Sequence, residues 1–260
     1  MPRIRVSLTV PVARCALALL ALLIFLGLAL MNSSWFSADA EAAYGQGPVA
    51  AYSFDEGEGP TAEDITGNEH DGTIEGPEWT DRGRFGNALS FNGESEDCVT
   101  VPDESGELQL TEELTLEAWA KPSGPTESDP IIFKEALGIG GQPGYVLGIG
   151  VTSSGKPEGV IGEEGESENV VAPSKIDTNV WTHLAFTYDG AHMRLYVNGA
   201  LVATQAQADA PLAAPGDLKI GCSASWWEEG FNGKIDEVRI YDRALDASEI
   251  AASPDPPIST

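Results

Sequence analysis

The sequence predicts an all-β fold, an antiparallel sandwich of two sheets. The 260 residues include 29 Gly and 17 Pro, which are many for a helical protein because both residue types interrupt helices and serve turns. Short stretches rich in Val, Ile, Leu and aromatic residues recur between clusters of Gly, Asp, Asn and Pro. No helical pattern separates these stretches, so we expect the strands to pair antiparallel.

Each of these stretches is predicted to be a strand, because β-branched and aromatic residues bounded by turn residues are typical of strands. In chain order, the predicted strands are residues 49–54, 72–75, 88–91, 98–101, 114–120, 131–133, 145–149, 159–161, 169–171, 181–188, 192–197, 201–205, 218–221 and 234–241.

Two of the turns are specified by their own residues. Asp189-Gly190 and Asn198-Gly199 supply the positive φ angles that tight hairpins require. They join three predicted strands, so residues 181–205 are expected to form a meander.

Alternation along a strand assigns side chains to the two faces of a sheet. In residues 114–121 the apolar set, which we expect to face the core, is Leu114, Leu116, Ala118 and Ala120. The set on the opposite face is Thr115, Glu117, Trp119 and Lys121. In residues 192–198 the same logic turns Met193, Leu195 and Val197 inward.

The first 40 residues have the pattern of a signal peptide. Three Arg and no acid precede an uncharged run of 17 residues at 15–31, and small residues allow cleavage after Ala40. An uncleaved membrane anchor is the alternative, although the run is short against the usual span of about 20 residues. Both readings place the rest of the chain outside the cell, so we expect a protein that is secreted or held at the cell surface.

The remaining chain is expected to be one domain. Residues 41–48 are a lead-in, residues 49–252 form the domain, and the Pro-rich residues 253–260 are predicted to be a mobile tail. The one helical pattern, at 244–252, carries Asp246 and Glu249 at the spacing of an N-cap and its third following residue.

The charge balance excludes some classes of partner. The chain has 14 Lys and Arg against 41 Asp and Glu, a net charge of −27. Nucleic-acid binding needs clustered cations, so no nucleic-acid partner is expected. The three Cys occur in no close pair, which argues against structural zinc.

Several segments together resemble the laminin G-like domains of the concanavalin A-like lectin and glucanase superfamily, in their bacterial extracellular form. The segments are AYSFDEGEG at 51–59, DITGNEHDGT at 64–73, FGNALSFNG at 85–93, VTVP at 99–102, LTLEAWAKP at 114–122, WTHLAFTYDG at 181–190, LYVNG at 195–199 and FNGKIDEVRIYDRAL at 231–245. The resemblance implies a two-sheet jelly roll with a concave face and loops at its rim. Cys98 departs from the usual residue before Val-Thr-Val. One fold hosts binders, enzymes and structural modules, so the resemblance is weaker for function than for fold.

No catalytic constellation is recognisable. Glycosidases that the sequence resembles carry a Glu-x-Asp-x-x-Glu pattern, because two carboxylates must flank one glycosidic bond. The nearest match here, Glu127-Ser-Asp129, lacks the last Glu. His183 fits a hydrogen-bonded structural residue better than a base. We therefore expect an exported, non-catalytic domain for carbohydrate binding or adhesion, with a polysaccharide or glycoconjugate as partner. The alternatives are a structural or protein-binding module at the cell surface and, less favoured, a glycoside hydrolase or polysaccharide lyase.

The resemblance implies a Ca²⁺ ion where the first and last strands meet, held by oxygen ligands. Asp236 is the best-matching ligand by motif, followed by Asp64 and Asn68, with Asp55 as a further candidate. The alternative is that Asp64 and Asn68 only cap their own turn.

Tryptophan residues are the candidate sugar platforms. Trp226 and Trp227 are adjacent in a predicted loop, and two such side chains cannot both enter one core from an extended chain. An exposed indole can stack on a sugar ring, but the loop could also bury both. Trp119 shares a face with Glu117, and that face is either a glycan groove or a surface covered by another loop.

Cys98 and Cys222 are predicted to form a disulfide if cleavage removes Cys15, because export through an oxidising route leaves an even number of Cys. The bond requires Cα atoms within about 7 Å of each other.

Overall fold

The computed structural model describes residues 47–124, 128–137, 143–163, 168–207, 214–223, 230–255 and 257–258. The chain divides into two units, Met1–Gly47 and Pro48–Thr260. The predicted signal or anchor segment 1–40 lies outside the described residues, as does the lead-in up to residue 46. Within the described ranges, the structure contains no helix that is long and apolar enough to cross a membrane.

The second unit is all-β, with one short helix near its end. Its strands are β1 Ala50–Tyr52, β2 Thr61–Ala62, β3 Gly72–Glu75, β4 Glu78–Thr80, β5 Ala88–Asn92, β6 Cys98–Val101, β7 Leu114–Pro122, β8 Ser128–Leu137, β9 Pro143–Thr152, β10 Pro157–Glu163, β11 Glu168–Val171, β12 Thr182–Tyr188, β13 His192–Val197, β14 Ala200–Ala206, β15 Leu218–Ile220 and β16 Asn232–Tyr241. The helix, α1, is Ala247–Ala252.

Two eight-stranded antiparallel sheets form the sandwich, which confirms the predicted fold class. Sheet 1 has the order β14-β13-β12-β7-β16-β5-β4, and β1 also pairs with β16. Sheet 2 has the order β11-β10-β9-β8-β15-β6-β3-β2. The predicted meander is β12-β13-β14, and its second turn places Asn198 and Gly199 at φ angles of 50° and 77°. This is the geometry that an Asn-Gly turn favours.

The core lies between the sheets and follows the predicted alternation. Leu114, Leu116, Ala118 and Ala120 are all buried in it, and Met193 and Leu195 join them from β13. The capping box of α1 is also present, with Asp246 as N-cap and Glu249 bonded back to it. The helix is three residues shorter than expected at its start, because the cap residue itself lies outside the helix.

The structure describes residues 253–255 and 257–258 of the segment that the sequence predicts to be a mobile tail. These residues, 253–255 and 257–258, are here called the C-terminal cover, and they contact the outer face of sheet 1. Ser253 Oγ donates to Glu117 Oε2 at 2.7 Å, and the Ile258 N–H donates to Glu237 Oε2 at 2.6 Å. The Arg84 guanidinium lies 3.3 Å from the Asp255 carboxylate. Polar side chains on the outer face of the sheet therefore hold the segment in place.

A disulfide joins Cys98 on β6 to Cys222 just after β15, with Cα atoms 5.3 Å apart. This is the pair that the sequence predicts, and the distance lies within the range that a disulfide can span. The bond links positions 124 residues apart in the chain.

Candidate functional site

Polar side chains are buried on the outer face of sheet 1, on the side turned away from the core. The strand register places Trp119 beside both His183 and Asp236, and Glu117 beside Arg239. We call this group the polar face, and its members are Glu117, Trp119, His183, Asp236, Glu237 and Arg239. All six are at most 8% exposed.

A β-bulge in β16 brings two adjacent acids into this group. The register shifts between Asp236 and Arg239, so β16 has one residue more than β7 in this interval. Glu237 adopts a φ of 54° there, in the left-handed region that non-glycine residues seldom occupy. Its Oε2 accepts from the Arg239 guanidinium at 3.0 Å. The bulge thus places two carboxylates and a guanidinium along one short segment.

Glu117 and His183 form the centre of the polar face. Glu117 Oε1 lies 3.9 Å from His183 Nε2, and neither side chain is exposed. Burial raises the pKa of Glu117 to about 7, partly offset by the hydrogen bond from Ser253 and by the charge of Arg239. Burial and then the charge of Arg239 lower the pKa of His183 to about 3. The imidazole is therefore neutral at pH 7, and the contact is not an ion pair.

Trp119 is covered, which is the second of the two alternatives for this residue. Its side chain is 6% exposed, and the Arg84 guanidinium stacks over the indole ring at 4.3 Å. Phe85 contacts the ring edge-on at 6.4 Å between centroids. A loop that precedes β5 thus occupies the surface that a sugar ring would need, and the prediction that Trp119 is a sugar platform is wrong for this conformation.

Asp236 is buried and holds the same loop. Its Oδ2 accepts from the backbone N–H groups of Arg84 at 2.6 Å and Phe85 at 3.1 Å. Its Oδ1 has no hydrogen-bond partner in the part of the chain that the structure describes. Burial, with smaller contributions from the charges of Glu237 and Asp55, raises the pKa of Asp236 to about 7 despite the two N–H donors.

Asp64 and Asn68 do not join Asp236. Asp64 accepts from the backbone N–H groups of Ala51, Thr66 and His70, and Asn68 donates to the Val49 carbonyl at 2.9 Å. These bonds fasten the turn to β1, which is the capping alternative for both residues. The predicted three-residue calcium set is therefore not assembled, because two of its members are used by the turn.

The fit of the polar face to a cation is partial. The unpaired Asp236 Oδ1 and Glu237 Oε1 are buried carboxylate oxygens of the kind that Ca²⁺ binds. Among the described residues, however, no group of three or more His, Cys, Asp or Glu side chains is arranged to hold a metal. Any ion here would depend on backbone carbonyls for its remaining ligands.

Trp226 and Trp227 lie outside the described residues, so their exposure stays a prediction. The chain is described again from Gly230, which forms a bridge with Cys222.

Arg84, Glu237 and Arg239 were not predicted as members of a polar site. Alternation could have placed Arg239 beside Glu117 once the pairing of β16 with β7 was known. The position of Arg84 depends on a loop more than 30 residues earlier in the chain than Trp119, and no local pattern encodes it.

The two-sheet fold, together with the sequence segments that resemble the laminin G-like domains, defines the class of this protein. The family model described as "Concanavalin A-like lectin/glucanases superfamily", a laminin G family, matches residues 92–251. The chain belongs to this family.

Three known proteins are informative. Domain 4 of AbnA, a GH43 extracellular arabinanase from Geobacillus stearothermophilus, solved in complex with arabinotriose, is 26% identical with a TM-score of 0.65, covering 80% of this chain and 98% of that one. The binding domain of Paraclostridial Mosquitocidal Protein 1 is 16% identical with a TM-score of 0.61, covering 79% of this chain and 51% of that one, and shows the fold alone. Pappalysin-1 of Mus musculus is 28% identical over 179 residues, which are 64% of this chain and 11% of that protein. The match thus spans only a small part of pappalysin-1.

Proposed function

We propose that this chain is an exported domain that binds glycans without hydrolysing them. The observation that carries the proposal is the similarity to domain 4 of AbnA, a structure that contains arabinotriose and that this chain matches over 98% of its length. That domain is one part of a larger extracellular enzyme. We infer a corresponding role here, in which the domain holds a polysaccharide or glycoconjugate.

The burial of the carboxylates supports binding over catalysis. Glycoside hydrolysis needs two carboxyl groups on either side of the scissile bond. Glu117 and Glu237 on the outer face of sheet 1 are fully buried, and both accept hydrogen bonds from the C-terminal cover. A glycan would have to displace the cover to reach them.

Location outside the cell is part of the proposal. The Cys98–Cys222 disulfide is of a kind that persists in oxidising surroundings, and it agrees with the signal-peptide pattern of residues 1–40.

The proposed contribution of Trp226 and Trp227 is apolar stacking. We expect either Trp226→Ala or Trp227→Ala to weaken glycan binding by about 1 to 3 kcal/mol, as other aromatic contacts do. Leu201→Ala is a suitable control, because Leu201 is an exposed apolar residue on β14.

We also propose that Ca²⁺ binds at Asp236, with Glu237 and Asp55 nearby. A bound Ca²⁺ would supply positive charge to buried carboxylates that otherwise take up protons. Asp236 holds the loop at Arg84 and Phe85 against sheet 1, so the ion would stabilise the fold and would take no part in a reaction.

A glycan array with residues 41–260, which include the whole unit Pro48–Thr260, tests the proposal. The array should be run with calcium and with chelator. Binding to one or more neutral glycans is the expected result. Absence of binding across the array in both buffers would favour a structural or protein-binding module.

A further inference from the structure

A small cleft opens at one end of the sandwich. It has a volume of about 260 Å³ and lies between the end of β7, the start of β8, the turn that joins β9 to β10, and the segment that precedes β12. None of the residues that line it belongs to the polar face.

Backbone hydrogen bonds hold the walls of the cleft together. The Ile176 N–H donates to the Gly155 carbonyl at 2.9 Å, and the Asn179 N–H donates to the Pro122 carbonyl at 2.6 Å. Asn179 has a φ of 61°, a conformation that Asn tolerates better than most residues. The segment before β12 is thus fastened both to the β9–β10 turn and to β7, so the cleft is formed before any ligand enters.

The lining of the cleft has an apolar floor and polar walls. Val151 is buried on the floor, and Ile176 is half-buried beside it. The exposed side chains of Ser154, Lys175 and Asp177 line the walls. Ser154 Oγ lies 2.8 Å from Thr152 Oγ1, so this hydroxyl is already positioned.

This combination matches the chemistry of a sugar ring, which presents apolar C–H groups on a face and hydroxyls around its edge. Asp177 can accept from sugar hydroxyls, Lys175 can donate to them, and Ser154 can do either. Small-molecule sites likewise combine an apolar lining with a few placed polar groups.

The size and charge of the cleft narrow the class of ligand. Drug-sized ligands occupy pockets of about 300 to 1,000 Å³, so a cleft of about 260 Å³ has the size to hold one sugar ring. The lining includes the exposed acid Asp177, and the whole chain has a net charge of −27. An acidic sugar would be repelled.

We propose that this cleft binds a single neutral sugar ring of a glycan. The inference rests on the proposed glycan-binding function and adds the site and the ligand class.

Calorimetric titration of residues 41–260 tests the inference. The probes are neutral trisaccharides of arabinose, xylose, glucose and galactose, with trigalacturonate as the acidic probe. Ser154→Trp should fill the cleft and abolish binding of the neutral probe. Asp177→Ala should weaken that binding at least about tenfold, because a hydrogen bond to a charged acceptor is lost. Asp217→Ala, at an exposed acid outside the cleft, is the matched control and should bind as the wild type does.

The possible outcomes separate the two proposals. Binding of a neutral trisaccharide that is lost in Ser154→Trp, weakened in Asp177→Ala and kept in Asp217→Ala supports the cleft. Unchanged binding in both cleft variants would show that the cleft is not the glycan site. Tighter binding of trigalacturonate than of the neutral probes would contradict the proposed ligand class. Either result leaves the proposed glycan-binding function intact. If the wild type binds none of the probes and no glycan on the array, both proposals fail. Melting curves of each variant, equal to that of the wild type, exclude misfolding as the cause of a loss.

Discussion

Glu117 is only partly ionised at neutral pH, because burial raises its pKa to about 7. Burial also raises the pKa values of Asp236 and Glu237 to about 7. The folded chain thus retains protons that the unfolded chain releases near the ordinary pKa of a carboxyl group. Each contribution to stability is complete below an unfolded pKa of about 4 to 4.5 and is lost as the pH rises through about 7.

Glu117→Gln should raise the melting temperature at pH 8 and change it little at pH 5. The amide removes the buried charge and its oxygen can still accept from Ser253. A gain of about 1 kcal/mol would move Tm by about 2 to 4 °C in a domain of this size. Differential scanning calorimetry of both proteins at the two pH values measures the effect, with exposed Glu112→Gln as the control. A lower Tm for Glu117→Gln at pH 8 would contradict the assignment of a buried, costly charge.

His183 changes the stability of the fold with pH in the opposite direction to Glu117, Asp236 and Glu237. Its pKa is lowered to about 3, so its contribution is complete above the unfolded value of about 6.5 and falls with acidification toward pH 3. Between pH 6 and pH 8 the acids dominate, and in calcium-free buffer we expect the Tm of the wild type to fall across that interval. A rise in Tm over the same interval would be inconsistent with the raised pKa values.

Asp236→Asn tests the calcium proposal. The amide oxygen can still accept from the N–H groups of Arg84 and Phe85, while the charge that would attract an ion is gone. Calcium at 100 times its Kd would stabilise the wild type by about 2.7 kcal/mol, and it should leave Asp236→Asn nearly unchanged. Thermal melts with calcium and with chelator provide the comparison, and exposed Asp217→Asn is the control. Equal melting temperatures of the wild type in both buffers would show that calcium does not stabilise the domain.

Some of these residues could be identified from sequence and others could not. The motif around Asp236 identifies that residue as a candidate. The pairing of Cys98 with Cys222 is predicted because two Cys remain after removal of an export signal. The burial of Trp119 depends on Arg84 and Phe85, which are distant in the chain. Alternation states which face a side chain occupies, but not what lies over that face.

At the scale of elements, turn residues separate the strands clearly enough to predict most of them. The sequence does not predict β2 Thr61–Ala62 and β4 Glu78–Thr80, because strands of two or three residues are too short to show an alternation of apolar and polar side chains. β8 extends beyond its predicted apolar centre on both sides, because its pairing with β9 runs from Ser128 to Leu137. The polar Lys134 within it is paired with buried Asp103 at 2.8 Å. The C-terminal cover was predicted to be mobile because its Pro-rich composition carries no sign of the side chains that bind it.

Removal of residues 253–260 should expose the polar face. Solvation of His183 and Glu117 would move the pKa of His183 up from about 3 toward its ordinary value near 6.5. Proton NMR can follow the titration, since the chain has only three His. Removal of residues 259–260 alone keeps Ile258 and is the matched control. A His183 that still resists protonation after the longer truncation would show that the cover does not exclude water from it.

At the scale of the whole molecule, the disulfide ties β6 to the segment after β15 in sheet 2. Closing a loop of this length should stabilise the domain by about 4 to 5 kcal/mol on the chain-entropy model. The paired Cys98→Ser and Cys222→Ser variant should lose that amount in urea denaturation. A count of two free thiols in the unreduced, denatured chain of residues 41–260 would show that the bond does not form.

The most direct test of the central claim is calorimetric titration of residues 41–260 with the neutral glycan that gives the strongest array signal, followed by chromatography of that glycan after prolonged incubation. Saturable heat of binding and recovery of the glycan at its original length are the predicted results. Shortened products that disappear on a single Asp or Glu substitution, or the absence of binding heat, would contradict a non-catalytic glycan-binding domain.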